Sequence, residues 1–280
     1  MCEATWTHLT DAIRWLHPHA LFDRIPIAAL DSRLSSLPAY RGNTMTYARL
    51  ALPAVLPDVD RCVYCDVDFL WLADVAELWH EMRESDLFCS VAEPCPATLD
   101  REAEWCRERQ VPFRRDRYVC AGLSFYNLKR ARETRLAERT IAFLDAHADA
   151  PFVDQTALNA VLDGDVHLVH EKWERLTVAL KGLPPREDFV LHFAGDAPWR
   201  LSAPASILTD AALLWHAYHA RYAGITRLKS LRDCAPLPQL ALKRAYWHAI
   251  RCPLLREVFF FALSLAGHTK CRSVMEAKCA

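Results

Sequence analysis

Apolar and polar positions follow two different periods along the chain, and the changes of period mark out its elements. Trp6, Leu9, Ile13 and Leu16 recur at helical spacing until Pro18 stops the pattern. An extended stretch is expected from Leu21 to Leu30, followed by a polar turn region to Asn43. Met45 to Leu56 reads as a helix carrying Tyr47, Arg49, Leu50 and Val55, interrupted by Pro53 and closed by Pro57. Cys62 to Tyr64 predicts a buried strand with Asp66-Val67-Asp68 at its C-terminal end, and Phe69 to Leu72 extends the chain again. Asp74 and Glu77 have the spacing of an N-cap and its capping-box partner, opening a helix over Val75 to Met82.

Short apolar runs at Phe88–Ala92, Tyr118–Leu128, Val166–Val169 and Phe189–Phe193 predict further strands. Residues 98–118 are charged and read as a solvated helix and loop over the core. Asp154 is placed to cap a helix whose apolar face is Leu158, Val161 and Leu162. Strands alternating with helices imply an α/β fold with a mostly parallel sheet. Beyond Asp210 the pattern turns helical, with Trp215, Tyr218, Tyr222 and Trp247 among basic residues.

Composition narrows the function classes. A chain of 280 residues, 52% hydrophobic and 25% charged, folds; a net charge of −1 gives no global field for nucleic acid. Only seven glycines occur, which excludes a P-loop and a Gly-rich dinucleotide fingerprint. Eleven cysteines, scattered through a chain too long to need staples, read as cytosolic thiols that pack as small apolar residues. Cys62 and Cys65 form a CxxC, but they lie inside an apolar strand with no second pair to complete a zinc site. The N-terminus shows no basic-then-apolar leader, and the run Val258–Ala266 is far short of the ~20 residues that span a bilayer. A cytoplasmic protein is expected. From Arg221 onward eleven Lys/Arg face three Asp/Glu, with Trp247 and Phe259-Phe260-Phe261 among them. Such a segment suits either peripheral contact with an anionic membrane or a helical cap packed on the sheet.

Asp66 and Asp68 carry the most chemistry. On an extended chain residues i and i+2 project to one face, so both carboxylates can converge on one cation. They follow a buried run, and ligands of open α/β sheets bind beyond the carboxyl ends of strands. Two bare carboxylates so close repel unless a divalent ion neutralises them.

The surrounding blocks extend this pair into a pattern. Thr46-Tyr47-Ala48-Arg49-Leu50 with Leu56-Pro57, Val63 to Asp68, Ala73-Asp74 through Leu78-Trp79, and Cys120-Ala121-Gly122 with Tyr126-Asn127-Leu128 come in order. Asp154-Gln155 with Ala157-Leu158-Asn159, Glu171-Lys172-Trp173, and His192-Phe193-Ala194-Gly195 with Pro198-Trp199 follow. Together, over about residues 20 to 200, they resemble the core of the family-8 retaining glycosyltransferases. The resemblance implies a GT-A fold, a mixed sheet flanked by helices, over residues 1–205, with a basic helical segment at 206–280. It implies a cytoplasmic transferase moving a hexose, glucose or galactose, from a UDP-sugar to a glycan or lipid-linked glycan acceptor such as a lipopolysaccharide core. By similarity Asp66, Asp68 and His192 hold Mn²⁺ (or Mg²⁺) on the donor diphosphate. Arg49, Val67 and Gly195 belong to the donor site, and Ala121 and Gly122 lie close to the sugar. Asp154 is placed beside the sugar hydroxyls, and Gln155 near the reacting anomeric carbon. Taken without the resemblance, Arg49 is a surface helix charge, Ala121-Gly122 a tight packing point, Asp154 a helix cap and His192 a core or loop histidine.

Three departures bear on activity. Family members usually open with a strand, helix and strand before the region matching Trp6 to Leu16; either that segment lies upstream of Met1, or part of the donor pocket is absent. The family's lysine before Pro-Trp corresponds to Ala197, with Arg200 just beyond, and Thr156 stands where a second Asp often follows Asp154-Gln155. A relative that binds nucleotide sugar without turning it over is therefore the second reading. A third, the aspartate-nucleophile phosphohydrolases, also places DxD after a buried strand, but Leu70 stands where they want Thr or Val.

Overall fold

The computed structural model of the chain describes residues 3–25, 32–40, 42–177 and 188–194, with Ala211 and Trp215. It divides into two compact units, Met1–Asp23 with Leu180–Arg186 and Phe193–Ala280, and Arg24–Ala179 with Glu187–His192. In the first, α1 (Glu3–Leu16) is the helix that the Trp6–Leu16 periodicity predicts, ending two residues before Pro18. Trp6 meets Phe22 edge-on at 6.5 Å, and the Arg14 guanidinium lies 5.4 Å from the same ring. The boundary expected at residue 205 and the basic segment beyond it lie outside the described residues, as do Gly195, Ala197, Pro198-Trp199 and Arg200.

The second unit carries the sheets. After α2 (Ser32–Ser36), a turn of 3₁₀ helix at Met45–Tyr47 leads into α3 (Ala48–Val55), in place of one continuous helix. Then come β1 (Arg61–Cys65), β2 (Phe69–Trp71), α4 (Val75–Glu81), β3 (Phe88–Ala92) and α5 (Pro96–Arg109). Next are β4 (Val119–Asn127), α6 (Leu128–Glu133), α7 (Leu136–Ala146) and α8 (Asp154–Leu162). Three short strands complete the unit: β5 (His167–Leu168), β6 (Arg175–Leu176) and β7 (Val190–His192).

Asp74 caps α4 as its spacing predicts, its side chain accepting from the Ala76 N–H at 2.9 Å. Glu77 does not close a capping box. Its carboxylate takes the Lys172 ammonium at 2.7 Å instead. The charged stretch after residue 98 is only partly solvated, because Glu102, Trp105 and Cys106 turn inward from α5.

One sheet has the order β1-β4-β3-β5 and the other β2-β7-β6. The sheets are mixed rather than mostly parallel. β4 runs antiparallel to both β1 and β3, and β2 antiparallel to β7; the parallel pairs are β3 with β5 and β6 with β7. Alternation of strands and helices does not state pairing, which depends on how the chain returns.

β4 is the central strand, and all nine of its residues are buried. A buried Leu or Phe side chain contributes about 1.5–3 kcal/mol, so this strand is the main anchor of the unit. Its inner face packs Val119, Ala121 and Tyr126 with Phe88, Leu50, Leu144 and Leu158. Leu123 packs instead with Leu78, Val91, Trp173 and Val190. The reassignment of Leu123 relative to Ala121 has a backbone cause. Ser90 pairs with Ser124 but Ala92 pairs with Val119, so a two-residue step on β3 is matched by a five-residue step on β4. β4 therefore bulges around Cys120–Leu123, and bulges re-aim side chains beside functional sites. Among the described residues, no helix is long and apolar enough to cross a membrane.

Candidate active site

The bulge releases backbone groups from the β3 ladder, and buried peptide groups must find partners. Here they find them on side chains. Ser90 Oγ sits 2.6 Å from the Cys120 carbonyl and 2.7 Å from that of Leu123. Arg49 Nη1 donates to the Ala121 carbonyl, the Ala121 N–H donates to Gln155 Oε1 at 3.0 Å, and the Gly122 carbonyl accepts the Asp66 N–H at 2.9 Å. Through these bonds Arg49, Asp66, Ala121, Gly122 and Gln155 belong to one network. Sequence spacing could not show this, since 106 positions of chain separate Arg49 from Gln155.

Arg49 is no surface charge. It projects from α3 and is only 3% exposed. Its Nη2 donates to both Asp66 oxygens, at 2.9 and 3.1 Å, and its guanidinium lies 4.6 Å from the centre of the Tyr64 ring. Nε donates to the Thr46 carbonyl and stands 3.0 Å from Asp154 Oδ2 as an ion pair, off the line of a hydrogen bond. Burial opposes the Arg49 charge, but Asp154 and Asp66 hold its pKa above the ordinary guanidinium range. Tyr64 Oη adds a third hydrogen bond to Asp66, at 2.5 Å.

Asp154 is not a helix cap. It is the first residue of α8, after Val153 at φ 42° and ψ −108°, a conformation that β-branched residues rarely adopt. That turn aims the carboxylate at Thr46 Oγ1, 2.6 Å away, and at Arg49. Burial pushes the Asp154 pKa up, against the pull of Arg49 and Thr46. Gln155, one residue on, is held at both ends. Its Oε1 accepts from Ala121, and its Nε2 donates to Glu93 Oε2 at 3.1 Å. Glu93 is itself buried at the end of β3; desolvation raises its pKa, and bonds from the Cys95 N–H and Gln155 temper the rise.

The second aspartate of the motif meets a different partner. β2 and β7 pair so that Phe69 stands opposite His192, and their rings stack with centroids 4.1 Å apart. This places His192 Nε2 3.5 Å from Asp68 Oδ1, an ion-pair contact too long for a good hydrogen bond. Asp68 Oδ1 is buried and has no hydrogen-bond partner among the described residues. The other ring nitrogen, Nδ1, is 2.7 Å from Oε1 of Glu174, a fully buried carboxylate just beyond the 3₁₀ turn Glu171–Trp173. Cys120 Sγ is 2.8 Å from the same oxygen. Burial disfavours a charge on His192, yet the negative charges of Asp68 and Glu174 beside the ring outweigh it and lift the pKa to about 9. The same contact brings Asp68 below its usual value, although burial acts the other way.

Gly122 makes this approach possible. A Cβ there would lie 2.8 Å from His192 Cε1, 3.1 Å from Glu174 Oε1 and 3.2 Å from Phe69 Cε2. Val67 projects 99% exposed into solvent between the two aspartates. Cys62 and Cys65 are an odd number of residues apart on β1 and so point to opposite faces. Both are free thiols, pushed up by burial to about 11 and about 12.

An orphaned, buried carboxylate oxygen facing an imidazole nitrogen fits a divalent cation. Two neighbouring ligands each about 2.1–2.5 Å from an ion stand about 3–3.5 Å apart, close to the separation of Asp68 Oδ1 and His192 Nε2. A carboxylate and imidazole set, with oxygen ligands from a diphosphate, suits Mn²⁺ or Mg²⁺. Asp66 keeps lone pairs beyond those used by Arg49 and Tyr64. Residues to which the sequence reading gave no role are Thr46, Tyr64, Ser90, Glu93 and Glu174. Thr46 and Tyr64 lie inside the matching blocks, and Glu174 adjoins the Glu171-Lys172-Trp173 block.

Residues 22–202 match the family described as Glycosyl transferase family 8. Over 174 residues the chain is 26% identical to General stress protein A of Bacillus subtilis (strain 168), a match covering 55% of this chain and 58% of that one. Over 93 residues it is 31% identical to Glucoside xylosyltransferase 2 of Mus musculus, covering 33% and 21%. The chain thus spans well under two thirds of the curated relatives it matches. Among solved structures it is similar to galactosyltransferase LgtC in complex with donor and acceptor sugar analogues, with a TM-score of 0.54 and 17% identity over 84% of this chain and 94% of that one. That likeness is one of fold, the GT-A arrangement of mixed sheets flanked by helices.

Proposed function

The chain belongs to glycosyl transferase family 8, and from that premise we propose that it is a retaining glycosyltransferase moving a hexose from a UDP-sugar to a glycan acceptor. The observation that carries the reading is the buried Asp68 oxygen without a hydrogen bond, facing His192 Nε2 beside the Arg49-held Asp66. Asp66, Asp68 and His192 hold the divalent cation, Mn²⁺ or Mg²⁺. When bound, it neutralises charge developing on the leaving diphosphate.

The chain's own residues supply position. Arg49 fixes the Asp66 carboxylate and the Ala121 carbonyl together, so the donor meets a preset wall. Asp154 stands beside the sugar hydroxyls, with Thr46 and Arg49 setting its orientation. Gln155 lies near the anomeric carbon, and Glu93 keeps its amide from turning. The acceptor hydroxyl oxygen bonds to the anomeric carbon from the face the diphosphate leaves, and its proton passes to the departing oxygen. Configuration is retained without a covalent enzyme intermediate. Glucose or galactose is the favoured hexose, in keeping with a neighbour of this fold that is a galactosyltransferase solved with donor and acceptor sugar analogues.

Residues 1–205 form the catalytic domain in this reading. The basic segment 206–280 rests on the anionic inner face of a membrane, where a lipid-linked glycan such as a lipopolysaccharide core is the acceptor. Release of UDP from UDP-glucose or UDP-galactose with Mn²⁺, lost in Asp68→Asn, is the expected result. Tight binding of UDP with Mn²⁺ without turnover would assign the protein to the non-catalytic relatives. Failure of both binding and turnover would overturn the proposal. Salt-sensitive sedimentation with anionic vesicles, unchanged on removal of residues 221–280, would refute the membrane role.

A further inference from the structure

Glu174 is a carboxylate buried completely, and among the described residues its one ion-pair partner is His192. Burying a charge costs several kcal/mol unless it is paired and hydrogen-bonded, and Glu174 Oε2 has no hydrogen-bond partner among those residues. A feature so costly calls for a purpose. We propose that Glu174 is a positioning residue for His192: its Oε1 accepts a hydrogen bond from Nδ1–H, so that Nε2 is the nitrogen left to face Asp68 and ligate the cation. The proposal rests on the reading of Asp68 and His192 as cation ligands.

Three contacts leave the ring a single pose. Phe69 stacks on one face at 4.1 Å, Gly122 approaches Cε1 too closely for a side chain, and Glu174 holds Nδ1 at 2.7 Å. A ring turned over would set Cδ2 against Glu174 and Cε1 against Asp68, and both contacts would be lost. Ligating histidines commonly give their other N–H to a carboxylate, which fixes tautomer and orientation and raises ligand basicity. The turn bearing Glu174 is anchored for this. Lys172 Nζ binds Glu77 at 2.7 Å, and Trp173 Nε1 donates to Glu81 at 2.8 Å, tying the turn to α4.

Cys120, Glu174 and His192 also bring a sulfur, an oxygen and a nitrogen within 4.8 Å of one another, the composition of a soft metal site. Their spacing argues otherwise. Ligand atoms on a tetrahedral ion stand about 3.3 Å apart or more, whereas Oε1 is 2.7 Å from Nδ1 and 2.8 Å from Sγ. These are hydrogen-bond separations. The trio is a closed network behind the ring, and the cation belongs on its other nitrogen.

The experiment uses the full chain with Mn²⁺ as probe, followed by calorimetry, together with ¹⁵N–¹H spectra of the metal-free protein. In wild type, His192 Nδ1 carries a slowly exchanging proton. Glu174→Gln keeps an oxygen acceptor in place and retains that proton and most of the Mn²⁺ affinity. Glu174→Leu keeps the volume, loses the proton signal and binds Mn²⁺ about 10- to 100-fold more weakly. Wild-type affinity in Glu174→Leu would overturn the proposal. So would an unprotonated Nδ1 in wild type, a result that stands even if Glu174→Leu does not fold. Cys120→Ser should leave Mn²⁺ affinity unchanged; loss there would make the trio the ion site and refute the assignment. A protonated Nδ1 with no Mn²⁺ binding in wild type would remove the cation reading and leave Glu174 as the ring's orienter.

Discussion

Asp66 and Asp68 stand two residues apart in one motif, yet they sit in different electrical surroundings. Asp66 faces a permanent cation: both its oxygens accept from Arg49, and Tyr64 adds a third bond. Asp68 faces an imidazole whose charge depends on pH, and one of its buried oxygens has no hydrogen bond. The first half of the motif is satisfied by the protein itself, and the second is left open. Identical side chains in one motif thus divide into a carboxylate that the protein holds on both oxygens and one that it leaves partly open, according to which strand or helix lies opposite.

The largest expected effect tests the fixed half. Arg49→Met leaves the buried Asp154 without its cation and frees Asp66, and loss of one partner of a buried ion pair costs about 3–5 kcal/mol. Urea denaturation measures it; a loss below about 1 kcal/mol, as for an exposed pair, would show the two halves to be alike. The receptive half should instead answer to pH. His192 has its pKa raised from 6.5 to about 9, so its charge stabilises the metal-free fold fully below pH 6.5. That contribution, about 3 kcal/mol, is lost as the pH rises through 9. Stability curves of wild type and His192→Asn should converge over this window, and parallel curves would count against the contrast.

Gly122→Ala addresses the wall between the halves. Its methyl would stand 2.8 Å from His192 and 3.1 Å from Glu174, and overpacking a rigid site costs about 1–3 kcal/mol. Thermal unfolding and Mn²⁺ titration should both register it, since the ring must move. The smallest effect belongs to Tyr64→Phe, which removes one donor from the well-supplied Asp66. A loss of about 1–2 kcal/mol is expected, with Mn²⁺ affinity nearly unchanged. A large drop in affinity would mean that Asp66 depends on Tyr64 for its role toward the cation.

Much of the frame could be read in advance because it rests on local rules. Asp74 ahead of α4, Pro18 after α1 and the apolar runs of β1, β3 and β4 each obey constraints set within a few residues. The motif at the end of β1 was visible for the same reason. Glu77 and Asp154 show where such rules stop. Both looked like helix-terminus acids, and each finds a stronger partner across the fold, Lys172 in one case and Arg49 in the other. A capping bond contributes about 1 kcal/mol, which a charged partner brought close by packing readily outweighs.

Taken alone, the residue order determined α1, α4, α8, the strands β1, β3 and β4 and the family, and it singled out the two aspartates proposed to hold the cation. It did so because hydrophobic period, caps and turn residues act over short stretches of chain. Only the tertiary structure decided that β4 bulges at Gly122, that Arg49 is buried between two aspartates, and that Glu174 stands behind His192. Those outcomes depend on which strands pair and in what register. Pairing joins residues dozens of positions apart, and no local pattern records it.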